Sequence, residues 1–413
     1  MGPKESDHDS IPAEAKEMER DKSQFTVKLV VLVNAFLFST CFFMDNSVFP
    51  YMAKRLGADV VTLGYMNTAF SFVLMCGGPL YGRFGDVFGS RMALMLSCSA
   101  AVLAYGILSL ANSVPMLFLS RIPMGFMHTF QGLQMVITDI SDKTGRAEAL
   151  GKLGLAFSLG IMAGPMTGGV VAEKFGDRMV AFTASALSIS SVIMVQLFLP
   201  KNTKSKIKKE TAVSDSEHLN KSGMSRTLEM LSKPKVMYPL VLRMAAMLPT
   251  ILLQSMGSVI AMEYFKLGPR ENGLLLAAIG LASAIVQGFG IGMLSRRFSD
   301  QSLLLLSFSI SGCAFSMMCF ATHTFLYVVS QVTMVIGFSL MRTITTSMAT
   351  KAVNAHDTGL LLGLNATSEA FMRTVTPAIG TFMFLNYGWQ SFGTLGTTID
   401  FGVVVILLVK GLN

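Results

Sequence analysis

Charge is what this sequence has least of. Only 14% of its 413 residues are Asp, Glu, Lys or Arg, against 52% hydrophobic, where a soluble domain carries about a quarter charged. That excludes an ordinary water-soluble globule and puts most of the chain in lipid or against other buried helices. Cysteine is scarce as well: Cys41, Cys76, Cys98, Cys313 and Cys319 all fall in apolar runs without short spacing, which excludes a zinc site or redox pair and leaves disulfides unexpected. The sequence also lacks a paired-histidine metal motif, a nucleophile elbow and a working phosphate loop. The string GRAEALGKL from Gly145 resembles such a loop, but its spacing is one residue too long and Leu153 stands where Ser or Thr must bind magnesium. Neither an enzyme nor a cofactor is therefore expected. No basic start with a short apolar core and cleavage site heads the chain, so residues 1–24 read as a polar cytoplasmic tail. The net charge of +8 is not a nucleic-acid signature, because the excess sits in short segments between apolar runs.

Those apolar runs are what the chain does have. Six lie at about 27–53, 61–82, 92–112, 115–139, 150–172 and 178–199, each long enough to cross a bilayer. Six more lie at about 236–262, 272–294, 301–321, 324–349, 358–384 and 389–410. Between the two sets, nine lysines and arginines sit among Ser, Thr and Glu, a composition that buries no core. The expectation is an all-α membrane protein of twelve transmembrane helices: a tail over 1–24, a six-helix bundle over 25–199, a basic linker over 200–235 and a second bundle over 236–413. Lys and Arg concentrate in alternate loops, at Arg83 and Arg91, at Lys143, Arg146 and Lys152, in the linker, at Arg296 and Arg297, and at Lys351. This bias predicts both termini and the linker in the cytoplasm.

The fifth run contains GIMAGPMTGG. Gly160, Gly164 and Gly168 recur every four residues and bare one helix face for close backbone contact, with Gly169 beside them. Pro165 removes a main-chain donor there and predicts a bend, as a moving interface would need. The two halves also repeat. Aligning Pro165 with Pro377 brings Gly168 onto Gly380 and Gly151 onto Gly363, the pattern of two halves about an axis along the membrane normal with a site between them.

On these residues the chain resembles the major facilitator superfamily over about residues 25–410. The loop GRFGDVFGSR, Gly82 to Arg91, is similar to the signature loop after the second helix. Arg121 and Gly125 are similar to the arginine motif of the fourth helix, and GIMAGPMTGG to the fifth-helix motif of the drug/proton antiporter branch. The run from His128 to Gly160 resembles the organic cation transporter-like solute carriers that group with that branch. The resemblance implies alternating access, with the signature loop latching the cytoplasmic side. In that loop Gly82, Gly85 and Gly89 permit a tight turn, and Asp86 can face a helix N-terminus, worth about 0.3–1 kcal/mol. Ser90 stands where the family usually has arginine, so Arg91 is expected to substitute, with Asp139 as its partner.

Ionisable residues inside the apolar runs mark the candidate site, since each costs at least about 2.5 kcal/mol unless it meets water or a partner. Asp45 on the first helix and Arg121 on the fourth lie at comparable depth. They either pair, or Asp45 solvates the outer lip. His128, followed by Gln131 and Gln134, is either a titrating group or a packing residue. Glu369 and Arg373 stand four apart on one face of the eleventh helix, in the favourable order for a pair, while the aligned positions of the fifth helix are Phe157 and Ile161. Arg243, Arg342 and Asp400 are further charges whose partners the sequence leaves open.

Together these imply a proton-coupled antiporter of organic cations. Asp45, Arg121, His128, Glu369 and Arg373 would form the substrate and proton site. Gly82, Asp86, Gly89, Arg91, Asp139, Gly160, Gly164, Pro165, Gly168 and Gly169 would serve as gate and hinge. A single chain would suffice, in the plasma membrane or alternatively an endomembrane. The other readings are a facilitator or organic-anion carrier, since intramembrane arginines outnumber the deep acids, and a non-transporting membrane scaffold.

Overall fold

The computed structural model describes residues 13–140, 146–200, 232, 234–287, 291–294, 297–353 and 358–411. The linker over 201–230 and the loop holding Lys143 fall outside these. The described chain is helical throughout. The first set runs α1 (Ala13–Arg55), α2 (Val60–Phe88), α3 (Ser90–Ser109), α4 (Val114–Arg121), a 3-10 turn (Pro123–Phe126), α5 (Thr129–Ile140), α6 (Arg146–Phe175) and α7 (Asp177–Phe198). The second runs α8 (Pro234–Glu263), α9 (Pro269–Ile285), the short α10 (Ile291–Leu294), α11 (Asp300–Cys319), α12 (Thr324–Lys351), α13 (Thr358–Tyr387) and α14 (Gln390–Gly411).

Among the described residues, nine helices are long and apolar enough to cross a bilayer: α1, α2, α3, α6, α7, α8, α11, α12 and α14. The remaining three apolar runs take other forms. The fourth, expected as one helix, is broken between Arg121 and Thr129, where Pro123 cannot continue the hydrogen-bond ladder. The eighth stops as a regular α-helix at Ile285. The eleventh is the single helix α13, which carries Glu369 and Arg373 in its middle.

Polar side chains in these helices bond back to their own backbone. Ser39 Oγ donates to the Ala35 carbonyl at 2.8 Å and Thr40 Oγ1 to that of Phe36 at 2.7 Å, so neither hydroxyl needs water at membrane depth. Asp59 caps α2 by accepting from the Thr62 amide at 2.8 Å. Gly89 joins α2 to α3 at φ 90°, a left-handed conformation that spares the turn any further residue. The repeat shows at the equivalent corners: Gly176 between α6 and α7 and Gly388 between α13 and α14 have φ of 88° and 76°.

The two sets join along two lines, α6 against α9 and α2 against α13. A Cβ on Gly169 would lie 2.7 Å from the Pro269 carbonyl oxygen, and one on Gly273 would run into the Pro165 carbonyl. In the other line, a Cβ on Gly64 would collide with the Thr381 side chain. Gly64 and Gly273 are each the fifth residue of their helices, and Gly169 and Thr381 each follow the aligned pair Gly168 and Gly380. The repeat therefore extends to the contacts. One buried apolar cluster takes Phe49, Met52 and Leu63 from the first set and Leu252, Met256 and Ile260 from the second, and plugs the end of the bundle where α1 finishes.

Candidate functional site

Asp45 and Arg121 are brought together. Arg121 closes α4 just before the break, and its Nη1 donates to Asp45 Oδ2 at 3.1 Å, with both side chains 8% exposed. The guanidinium lies 3.6 Å from the centre of the Phe49 ring and 5.6 Å from that of Phe70, both aromatic faces attracting a cation. The same nitrogen approaches Met124 Sδ at 3.2 Å. Asp45 sits ten residues before the end of α1, about 15 Å at 1.5 Å per residue, so it lies within the bundle and not at its lip.

A second cluster gathers around Glu369 on α13. Arg373 Nη2, one turn on, donates to Oε1 at 3.1 Å. Arg243 of α8 and Arg342 of α12 each place Nη2 3.4 Å from Oε2. Three helices thus converge three guanidinium groups on one carboxylate. Arg243 is buried and also donates to Thr346 Oγ1 at 2.8 Å. The Arg342 and Arg373 side chains are 51% and 49% exposed. The sequence singled out Arg243 and Arg342 as intramembrane charges but did not assign them to the site; their cost in lipid was the available signal.

His128 lies apart from both clusters, in the short stretch between the 3-10 turn and α5. Its ring is 5.4 Å from that of Tyr81, and its buried Nε2 has no partner among the described residues. α2 reaches this broken segment at backbone contact: a Cβ on Gly77 would strike the Gly125 carbonyl, and one on Gly125 would lie 2.7 Å from Val73 Cγ1. Asp400 on α14 is fully buried; neither carboxylate oxygen has a hydrogen bond within 3.5 Å among the described residues, the Ser311 hydroxyl of α11 being the nearby polar group.

In the loop region, Gly82 and Asp86 lie in the last turns of α2; the Asp86 side chain is outside the described residues. Asp139 Oδ2 accepts from Ser90 Oγ at 2.8 Å, whereas Arg91 Nη2 donates to the Gln196 carbonyl at 2.9 Å. The serine in the departed position thus holds the aspartate, and Arg91 ties α3 to α7.

The glycine stripe faces its own set. Cβ atoms on Gly160, Gly164 and Gly168 would meet the Phe36 carbonyl, the Thr40 carbonyl and Met44, all on α1. The face that crosses to α9 is the next one round: Ile161 against Gly280, Pro165 against Gly273 and Gly169 against Pro269. At this end the sets are also tied by Tyr51 Oη donating to the Leu267 carbonyl at 3.0 Å, Asn272 Nδ2 to that of Ser47 at 3.1 Å, and the Lys54–Glu263 and Arg270–Glu173 ion pairs at 2.6 and 3.4 Å. Deeper in, Thr374 Oγ1 lies 3.5 Å from the Ser71 carbonyl. One end of the interior is closed by these contacts.

Known proteins match this arrangement over almost the whole chain. The family model of the Major Facilitator Superfamily matches residues 31–261 and 240–410. Solute carrier family 22 member 18 of Mus musculus is 33% identical, covering 93% of this chain and 96% of that protein. Multidrug resistance protein 2 of Bacillus subtilis (strain 168) is 23% identical over 87% of this chain and 89% of its own. Among solved structures, that of the peptide transporter POT in complex with sulfate has a TM-score of 0.73 at 17% identity, with 94% of each chain covered. With two repeated sets of helices, joined at one end and enclosing paired charges, this chain belongs to the major facilitator superfamily.

Proposed function

We propose that this membrane transporter exchanges an organic ion for protons by alternating access. The observation that carries the reading is the Asp45–Arg121 pair, which ties α1 to α4 in the interior of the first set. A buried pair of this kind holds while Asp45 is ionised. A proton on Asp45 removes the attraction and leaves Arg121 held to α1 only by the Phe49 face it already covers, so proton arrival loosens α4 from α1. The break after Arg121 lets α4 shift without displacing α5. Relatedness to multidrug and tetracycline resistance proteins supports antiport in general.

With the cytoplasmic orientation read from the basic loops, the closed end faces outward and the interior opens to the cytoplasm. Gly169, Pro165 and Gly273 then form the hinge, and the Gly82–Arg91 loop with Asp139 the opposing gate. A single chain holds the whole pathway. The organic-cation expectation requires a cation to compete with three arginines for Glu369. The organic-anion alternative requires no such competition.

The test is uptake into proteoliposomes with internal and external pH set independently. Antiport predicts solute accumulation that follows the proton gradient and collapses with an ionophore. Solute that equilibrates equally at every imposed gradient would make the protein a facilitator; solute that never moves would favour the scaffold.

A further inference from the structure

We propose that Arg243, Arg342 and Arg373 form a binding site for the carboxylate of an amphipathic organic anion, and that Glu369 is an internal counter-ion that holds the site until the anion arrives. The assignment deepens the transporter reading and rests on it for the consequence of binding, though not for binding itself. Charge is the first argument. Three guanidinium groups face one carboxylate, leaving two positive charges uncompensated within the cluster, an arrangement that repels a cation and attracts an anion.

Geometry is the second. Each arginine engages Glu369 through one nitrogen, two of them at 3.4 Å and on the same oxygen, so none grips the carboxylate with its fork; Arg243 gives its other Nη to Thr346, whereas the forks of Arg342 and Arg373 are half filled. Arg342 and Arg373 make no side-chain hydrogen bond except to Glu369 among the described residues. Arg243 is 5% exposed, and its Nε has no partner among them. Convergence from α8, α12 and α13 directs all three into the bundle interior, so the half-exposure of Arg342 and Arg373 is exposure to a space a solute can enter.

An aromatic surface opposite the cluster points to the rest of the solute. The alignment that superposes Pro165 on Pro377 puts Phe157 of α6 at the position of Glu369, and hence across the interior at the same depth. Phe157 packs with Phe130, Phe38 and Phe43, with ring centres 4.4, 6.3 and 6.3 Å from its own. A cationic wall thus has an aromatic counterpart, which suits a carboxylate carried on an aromatic body.

The experiment measures binding of 5-carboxyfluorescein, and of the cationic dye rhodamine 123, to the full chain purified in detergent. The anionic dye is expected to bind. Arg342→Gln and Arg373→Gln should each weaken it about tenfold or more, the usual effect of losing a hydrogen bond to a charged group. Glu369→Gln should tighten it by a similar factor, because the competing carboxylate is gone. Should Glu369→Gln fail to fold, the two arginine variants, whose side chains are half exposed, still decide the matter. Anion binding indifferent to all three changes, or rhodamine binding abolished by Glu369→Gln, overturns the site. So does stabilisation by phosphatidylglycerol equal to that by the dye, which would make it a lipid site. Dye binding without uptake into proteoliposomes would uphold the site and reject the transporter reading instead.

Discussion

Replacing Asp45 with Asn preserves shape and removes charge, leaving Arg121 buried at 8% side-chain exposure without its counter-ion. Loss of one partner from a buried pair costs about 3–5 kcal/mol. Two compensations remain in place. The Phe49 face 3.6 Å away contributes up to about 2 kcal/mol when desolvated, and the amide oxygen of the Asp45→Asn side chain can still accept one neutral hydrogen bond of about 1 kcal/mol. The ring contact is present in the parent too and cancels, so only the neutral hydrogen bond offsets the loss, which is expected near the lower bound, about 3 kcal/mol. Arg121→Gln should cost a similar amount by leaving Asp45 unpaired. The double variant removes both charges and should therefore recover about 2 kcal/mol or more relative to the sum of the singles. Reversible thermal or denaturant unfolding of the four proteins in one detergent measures that coupling. Additive losses, within about 0.5 kcal/mol, would refute a direct pair and with it the proposed coupling step.

The other predictions concern contacts and caps. Gly273→Ala places a methyl against the Pro165 carbonyl backbone, which cannot yield as a side chain would; cross-linking between α6 and α9 should fall and transport with it, whereas Gly257→Ala, where nothing lies within 4 Å, should leave both unchanged. Asp400→Asn should stay within about 1 kcal/mol of the parent by thermal unfolding, since no ion pair is lost among the described residues and an amide can still meet the nearby Ser311 hydroxyl, while Asp400→Lys should prevent folding. Hydrogen bonds from the Thr62 side chain and then its backbone hold Asp59 below the usual carboxylate range. The cap of α2 is accordingly fully present above the ordinary carboxylate pKa and is lost as pH falls through the lowered one; amide exchange at Thr62 should rise in that acid window, and Asp59→Asn should flatten the dependence.

Apolar run length made the helices legible, because a bilayer sets their span directly. The repeat was legible too, since Pro165 and Pro377, and Gly168 and Gly380, occupy equivalent places in their helices. What sequence period cannot supply is the identity of the neighbour. The every-fourth glycines marked a bare face of α6, yet that face meets α1, and the inter-set face begins one residue later at Ile161, Pro165 and Gly169. The Glu369–Arg373 pair could be read because it is local to one helix turn. Arg243 and Arg342 could not be joined to it, because their meeting depends on how α8 and α12 are rotated about their own axes. Arg121 and Asp45 were matched by depth alone, and the break in the fourth run, expected as one helix, was not read although Pro123 stands in it.

Asp400 bears on how the protein is made. A carboxylate in the middle of α14 burdens its insertion by about 2.5–3.5 kcal/mol, and no cation among the described residues offsets it. The two helices that carry a buried acid in their interior, α1 with Asp45 and α14 with Asp400, are also the most apolar of the nine. Their Val, Leu and Phe residues supply the surplus that lets an acidic segment partition into the membrane at all. For α1 the burden ends when α4 arrives with Arg121; for α14 no arginine pairs with the acid among the described residues. Substitutions that merely thin the apolar residues of α14 should therefore appear as chains left short of a crossing during biogenesis, before any transport cycle begins.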